Sequence, residues 1–557
     1  MRDYLSAQIL AALDTMGGAP DGFEVEFQQP NNPDHGDLAT NAALQLARHF
    51  RKAPRAIADE LAAQVELDPE QVSSVEVAGP GFLNFRFAPA YLSNALRGML
   101  KAGSGYGRVA PTGKTAIVEF VSANPTGPLT VGHGRNAVLG DTLATLLQTQ
   151  GFAVTREYYF NDAGRQMRVL GDSVAARYNA LADPGHASKE IEAAGGETIT
   201  VPESFPEDGY QGDYIQEIAR TLFETHGAGL DDAHVFRRAA QERIFEEIEG
   251  TLGRMGIHMD GYFNERTVYE SGAIWEIVDA LKDKGLAFEK DGAVWFKTTE
   301  FGKDQDTVLV KSSGEPTYRL PDIAYHIDKV KRGFDRIVDI FGADHIATFP
   351  DVLSGVQAMG HATDGIHVVI YQFVTLVRGG EPVKMSTRKA TYVTLDDLMD
   401  EVGEDVTRFF FLMRSPNTHL EFDLDLAKEA GEKNPVFYLQ YAHARIASII
   451  RKAEEVGLQA GGEADLTLLV HEAEENLIKE LMRYPAVLKR SAASYEPHRL
   501  ATYLREVAVA FTQFYGNCRI IGEEEGIAVA RLQLARAAQQ VLASGLGVLG
   551  ISAPERM

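Results

Sequence analysis

A single cysteine, Cys518, stands in 557 residues. That excludes an intrachain disulfide framework and any zinc site built on several thiolates. No apolar run reaches the roughly 18 residues a transmembrane helix needs, so no membrane partner is expected. Cationic excess is also missing: 54 Lys and Arg face 79 Asp and Glu, for a formal charge of −25. Such a balance argues against indiscriminate polyanion binding but leaves room for a local basic patch serving one RNA. Internal repeats and low-complexity tracts are absent. The opening MRDYLSAQILAALDTMGG lacks the basic-then-apolar order of a signal peptide, and Asp3 and Asp14 interrupt it; the expected location is the cytoplasm. With 45% hydrophobic and 24% charged residues, the chain reads as folded throughout, in about three to five domains.

Leu5, Ile9, Leu13 and Met16 recur at helical spacing up to Gly17-Gly18. Residues 1–105 read as an α+β module, with a turn-rich break at 32–37, a helix from about Leu38, and two strands in 75–87 around Gly79-Pro80-Gly81. Residues 115–160 carry the clearest pattern: a β-branched strand from Thr115 to Val121, a loop with two prolines, a helix from about Gly132 to Gln150, then a strand from Val154 to Phe160. This is a βαβ unit, the usual start of a doubly wound nucleotide-binding sheet. Residues 170–300 read as a mostly helical insertion, and strand–helix alternation resumes with a strand at Thr307–Lys311. From about 393 the pattern is helical, with long periodic segments at 434–452 and 530–549 that suit a bundle. The expectation is a multidomain α/β chain: 1–105 an N-terminal α+β domain, 106–395 a Rossmann-type catalytic domain with its insertion, and 396–557 an all-α domain.

Two short constellations carry candidate chemistry. Asn124-Pro-Thr-Gly-Pro-Leu-Thr-Val-Gly132-His133 lies between a strand and a helix N-terminus. Free backbone N–H groups and the helix dipole there favour phosphate, and His133 can donate to a phosphate oxygen. A tight loop whose histidine caps or packs is the plainer reading. Lys384-Met385-Ser386-Thr387-Arg388-Lys389 places three cations in six residues, enough to stabilise charge on a transferring polyphosphate. A solvated basic loop is its plainer reading.

Together the two segments resemble the paired His-Ile-Gly-His and Lys-Met-Ser-Lys-Ser motifs of class I aminoacyl-tRNA synthetases. The resemblance is specifically to arginyl-tRNA synthetases and covers nearly the whole chain. It is carried by 118–141, EYYFNDAGRQM at 157–167, GADH at 342–345, NPVFYLQYAHAR at 434–445, the terminal GVLGISAPERM, and HGDLATNAAL and AGPGFLNF near the start. The resemblance implies that arginine is activated with ATP and Mg²⁺ and passed to the 3′ end of tRNA(Arg). It also implies a monomer, no structural metal, and a C-terminal anticodon-binding bundle. By that likeness His133, Lys384, Arg388 and Lys389 are catalytic. Pro128, Thr130, Gly132, His133, Asn136, Gly342, Asp344, His345, Met385 and Ser386 bind ATP. Glu119, Ser122, Asn124, Tyr318 and Asp322 bind arginine; for Asp322, helix capping is the competing explanation. For the tRNA, Asn32, His35 and Asn84 contact the elbow, and Tyr438, Tyr441, His443 and Arg445 the anticodon. Two positions depart from the motifs: Thr130 replaces the first histidine and Thr387 the second lysine. A catalytically inactive tRNA-binding paralogue is the alternative those departures leave.

Overall fold

Thr115–Glu119 (β1) is covered on both faces, as its run of Ala, Ile and Val requires of a strand central to a parallel sheet. In the computed structural model, which describes residues 1–30, 32–162, 164–183, 185–192, 198–383, 393–459 and 464–557, four further strands join it. They are Ala153–Phe160 (β2), Gly261–Asn264 (β3), Arg336–Gly342 (β4) and Ile366–Tyr371 (β5), all parallel, in the order β5-β4-β1-β2-β3. The chain winds outward from β1 through β2 to β3, then returns to β4 on the other side. The order reverses between β1 and β4, and ligands of open α/β sheets bind at the carboxyl ends of strands at such a point.

Side-chain alternation sorts two apolar layers. Val118, Phe120, Val338 and Ile340 pack with the helix Val131–Thr149. Ile117 and Ile337 pack with the helices Arg319–Lys331 and Phe349–Ala358. The first helix lies so close that a Cβ on Gly140 would sit 2.1 Å from Cγ of Phe120; only glycine fits there.

Three local expectations change. Leu38–Thr40 is a strand between Phe27–Gln28 and Phe82–Phe87, and the helix begins at Ala42; Leu38, Ala39 and Thr40 are all buried in that pairing. The 170–300 stretch is not wholly outside the sheet, because β3 comes from it. Its helices Arg165–Ala182, Asp213–His226 and Ala233–Arg254 build a layer beside the sheet. Thr307–Val310 completes a separate antiparallel sheet with Ala287–Lys290 and Ala293–Phe296, where Leu309 and Val310 bury against the 319–331 layer.

Beyond residue 430 the helices Pro435–Glu455, Glu472–Met482, Tyr484–Ser494, His498–Asn517 and Glu525–Val548 form a bundle. One buried arginine ties it to two helices packed beside the sheet. Arg408 donates to the Leu549 carbonyl at 3.0 Å, the Met255 carbonyl at 2.7 Å and the Asp141 carboxylate at 2.7 Å. The N-terminal module joins the bundle through Lys479–Asp37 at 2.9 Å. Among the described residues, no helix is long and apolar enough to cross a membrane.

Candidate functional site at the carboxyl ends of the central strands

Past β1 the backbone turns sharply. Val121 and Ser122 both take left-handed conformations, with φ of 65° and 42°, which a β-branched residue adopts only at a cost. The turn is held by Asn136, whose Oδ1 accepts from the Val121 amide at 2.6 Å while its Nδ2 donates to the Ile340 carbonyl at 2.9 Å. Asn136 is buried, so its amide is spent on the protein's own backbone rather than offered to ATP. The loop then runs past Asn124, which is exposed and donates to Gln166 at 2.8 Å, and half-buried Pro128 into the helix at Val131.

Thr130 is the N-cap of that helix. Its backbone N–H donates to Nδ1 of His133 at 3.1 Å, so the imidazole proton sits on Nε2 and is free to donate. Burial pulls the His133 pKa down to about 4; the ring is a neutral donor at physiological pH. Gly132 lines the same helix end and is partly open. Across the crevice β4 ends at Gly342. Asp344 and His345 follow, both exposed, with the His345 ring stacked on Phe341 at 5.1 Å.

The cationic segment, with Lys384, Met385, Ser386, Thr387, Arg388 and Lys389, lies outside the described residues. Its flanks are described. Thr394 pairs with Thr130 in a β-bridge, and the Leu395 amide donates to the Leu129 carbonyl at 2.8 Å. The chain therefore re-enters beside the helix that opens at residue 131. The helix Leu395–Val402 is anchored in turn by Arg254, which reaches Asp396 and Asp400 at 2.7 Å and Glu404 at 3.0 Å.

On the other face the sheet register aligns Glu157, Glu119 and Asp339 side by side on β2, β1 and β4. All three are buried. Like charges in neighbouring strands repel, and the helix Arg319–Lys331 with its C-cap answers them. Arg332 forks onto Glu157 at 2.6 and 2.7 Å, and the Tyr325 hydroxyl donates to Glu157 at 2.6 Å. Lys329 donates to Asp339 at 2.6 Å and to Glu119. The other Glu119 oxygen accepts from the Ser122 hydroxyl at 3.0 Å, which accepts the Tyr159 amide at 3.1 Å. Burial raises the Glu119 pKa against the pull of Lys329, and Lys329 with His326 holds Asp339 low in spite of its burial.

Asp322 lies in the first turn of a helix that already starts at Arg319, so it is not the N-cap. Burial lifts its pKa to about 7, with Glu119 and Glu265 adding to the rise. Glu265, just past β3, is buried and likewise raised to about 7, first by burial and then by Asp162, while the hydroxyls of Tyr159 and Tyr269 work the other way. Among the described residues no ion pair joins either group to a lysine or arginine. Tyr318 is 70% exposed at the mouth. Glu265 and Lys329 are absent from the sequence-based site. Asp322, His326 and Lys329 at i, i+4 and i+7 share one helix face, a signal the sequence did hold; Glu265 follows a four-residue strand with no periodicity to flag it.

The residues expected at the RNA surface divide. Asn32 and His35 are exposed on a turn, whereas Asn84 is buried in the strand Phe82–Phe87, between its partners Ala39 and Glu76. His443 is buried too, its Nδ1 held 2.9 Å from the Pro554 carbonyl, which ties it to the C-terminal tail. Tyr438 and Tyr441 are half-buried. Phe437 and Tyr441 stack at 6.1 Å, and Arg445 lies over the Tyr441 ring at 4.7 Å.

Three family descriptions match consecutive parts of the chain. Residues 3–87 match the arginyl tRNA synthetase N terminal domain, 95–418 the tRNA synthetases class I (R), catalytic domain, and 439–557 the DALR anticodon binding domain. The arginine–tRNA ligase of Salinibacter ruber is 59% identical over 100% of both chains. That of Desulfotalea psychrophila is 48% identical over 95% of this chain and 94% of its own. The solved arginyl-tRNA synthetase of Thermus thermophilus shares the fold with a TM-score of 0.76 over 100% of both chains, at 23% identity. With the strained turn, the His133 helix and the acid-lined crevice in one place, these matches lead to one conclusion: the chain belongs to the arginyl-tRNA synthetase family of the class I synthetases.

Proposed function

We propose that the arginine–tRNA ligase activity of this chain runs in the crevice between β1 and β4, with arginine held by acids and ATP by the helix opening at residue 131. The observation that carries the reading is the pair Asp322 and Glu265: two carboxylates raised by burial to about 7, neither in an ion pair with a lysine or arginine of the described chain. A guanidinium is planar, permanently charged and forked, and it matches two such acceptors. Lysine or citrulline would leave acceptors unpaired, which is the kind of mismatch that gives large discrimination. Tyr318 closes the mouth, and Glu119, Ser122 and Asn124 face the substrate's amino end.

Catalysis asks the protein for alignment and charge neutralisation. The arginine carboxylate attacks the α-phosphorus of ATP, and pyrophosphate leaves. His133 donates from Nε2 to a phosphate oxygen, with Pro128, Thr130 and Gly132 forming the cradle at the helix end. Gly342, Asp344 and His345 line the nucleoside side. By the family resemblance Lys384, Met385, Ser386, Arg388 and Lys389, outside the described residues, serve the ATP phosphates. Mg²⁺ accompanying ATP would be held as much by the substrate phosphates as by protein and would supply charge neutralisation there. A terminal ribose hydroxyl of tRNA(Arg) then attacks the arginyl-adenylate, releasing AMP.

For the RNA, residues 1–105 meet the elbow through Asn32 and His35. Residues 396–557 present the Phe437–Tyr441–Arg445 row to anticodon bases, which stack on such surfaces. Residues 106–395 hold the chemistry. The enzyme works as a cytoplasmic monomer. The test is arginine- and tRNA-dependent pyrophosphate exchange in His133→Ala. Exchange should fall by orders of magnitude while tRNA affinity survives. Absent exchange in the unaltered chain, with tRNA binding intact, would establish the inactive paralogue instead.

A further inference from the structure

Three carboxylates, Glu157, Glu119 and Asp339, cross the sheet in register, and the cation serving the last two is Lys329. Its side chain is 0% exposed. A buried ammonium is expensive unless fully paired, and an apolar side chain would fill the same volume. Glu119, His326 and Asp339 bring ligand atoms within 4.8 Å of one another, and the cation among them is this ammonium.

The helix makes the placement consequential. Asp322, His326 and Lys329 share one face, so the residue facing the guanidinium slot and the residue neutralising the carboxylate row are two turns apart on one rigid element. His326 braces it, Nδ1 toward the Asp322 carbonyl at 2.8 Å and Nε2 toward Asp339 at 3.1 Å. We propose that Lys329 is a specificity-determining positioning residue for arginine: its ammonium is the built-in cation that occupies Glu119 and Asp339 and leaves Asp322 and Glu265 as the pocket's unpaired carboxylates. This rests on the arginine-site reading above.

Every charged or titratable neighbour enters the balance. Glu119 faces Lys329 from β1 and Asp339 from β4. His326 and the Tyr325 ring, 4.1 Å from the ammonium, face it from its own helix. Glu157, already paired with Arg332, faces it from β2. Beyond the row stand Asp322 and Glu265, the latter with Tyr159 and Tyr269. Burial, Glu119 and Glu265 drive Asp322 toward its neutral form; Lys329 and His326 oppose them. Without the ammonium, Asp322 would hold its proton to higher pH and accept the guanidinium poorly at neutrality.

The experiment measures tRNA-dependent pyrophosphate exchange against pH in the full chain, with arginine and ATP varied separately. Lys329→Met should move the acidic limb of kcat/KM for arginine upward by about one pH unit, and raise the arginine KM about fivefold at pH 7. The ATP KM should stay put, and Lys329→Arg should recover most of the loss. Asp339→Asn frees the ammonium from one partner and should move the limb the opposite way, which keeps the idea testable if Lys329→Met does not fold. A limb that stays in place in both variants, or an equal loss in arginine and ATP parameters, would overturn the proposal. Asp322→Asn separates the two levels: if it leaves the arginine KM unchanged, the arginine-site reading itself fails; if it raises that KM while the Lys329 variants leave the limb alone, only the role of Lys329 fails.

Discussion

The amide of Leu395 donates to the carbonyl of Leu129 across 2.8 Å. The contact fastens the far flank of the cationic segment to the loop that delivers His133, so the two short motifs share one anchor despite lying more than 250 residues apart. Gly134 sits at the same junction: a Cβ there would meet Leu395 Cδ1 at 2.6 Å and Phe411 Cε2 at 3.0 Å. Gly134→Val should cost about 1–3 kcal/mol of stability and cut pyrophosphate exchange at least about tenfold, with tRNA affinity kept. Unchanged exchange would show that the junction tolerates the displacement.

Arginine affinity should depend on pH through Asp322 and Glu265. Both have folded pKa values near 7, above those of an unfolded carboxyl. The folded chain without ligand therefore holds extra protons between about pH 4 and 7, and these groups make it less stable as pH rises through that window. Arginine reverses the preference by pairing the ionised forms. Calorimetry should show binding that strengthens as pH rises through 7 and releases protons near neutrality. Asp322→Asn and Glu265→Gln should each lose about 1.5–3 kcal/mol of arginine binding with little change in ATP affinity; an arginine affinity flat from pH 6 to 8 would remove both from the pocket.

Arg408 is a stability hub. It bonds the end of the last helix, the end of the 233–254 helix and Asp141 on the His133 helix. Arg408→Ala leaves two carbonyls unsatisfied and Asp141 with Arg156 alone at 3.0 Å. Urea unfolding should show a loss of about 3–5 kcal/mol, the scale for breaking a buried ion pair. Asp141→Asn, which keeps a hydrogen-bond acceptor, should cost less.

Tyr441 is braced by Arg445, whose Nη2 donates to its hydroxyl at 2.9 Å. A base stacked on such a ring is worth about 1–3 kcal/mol. Tyr441→Ala should therefore weaken tRNA binding about tenfold while the arginine KM stays the same. His443→Ala should act by loosening the tail at Pro554 and show as lower thermal stability.

Much of the catalytic half was readable because its signals are local. The strand–loop–helix around His133 has turn residues, periodicity and composition pointing the same way. Asp322 was visible as an acid at a helix start, although the helix begins three residues earlier and so removes the capping explanation. Glu265 was hidden because β3 is too short to show a period and lies in a stretch that otherwise reads as an insertion. Helical spacing puts Lys329 on the face of Asp322 and His326, but its pairing with Glu119, 210 residues away, follows only from the fold. The surroundings of Asn84 and His443 were not legible either: Asn84 is buried by strands from distant parts of the chain and His443 by the C-terminal tail at Pro554.

The paired left-handed residues at Val121 and Ser122 also set a boundary for protein engineering. Glycine at either position would relax the local backbone, but it would also remove the buried Val121 side chain or the Ser122 hydroxyl that bridges Glu119 and the Tyr159 amide, so neither swap should raise stability. Such a swap would exchange a stiff hinge for a pliable one directly upstream of the helix that bears His133. Glycine variants at these two sites should therefore emerge neither sturdier nor faster than the parent chain.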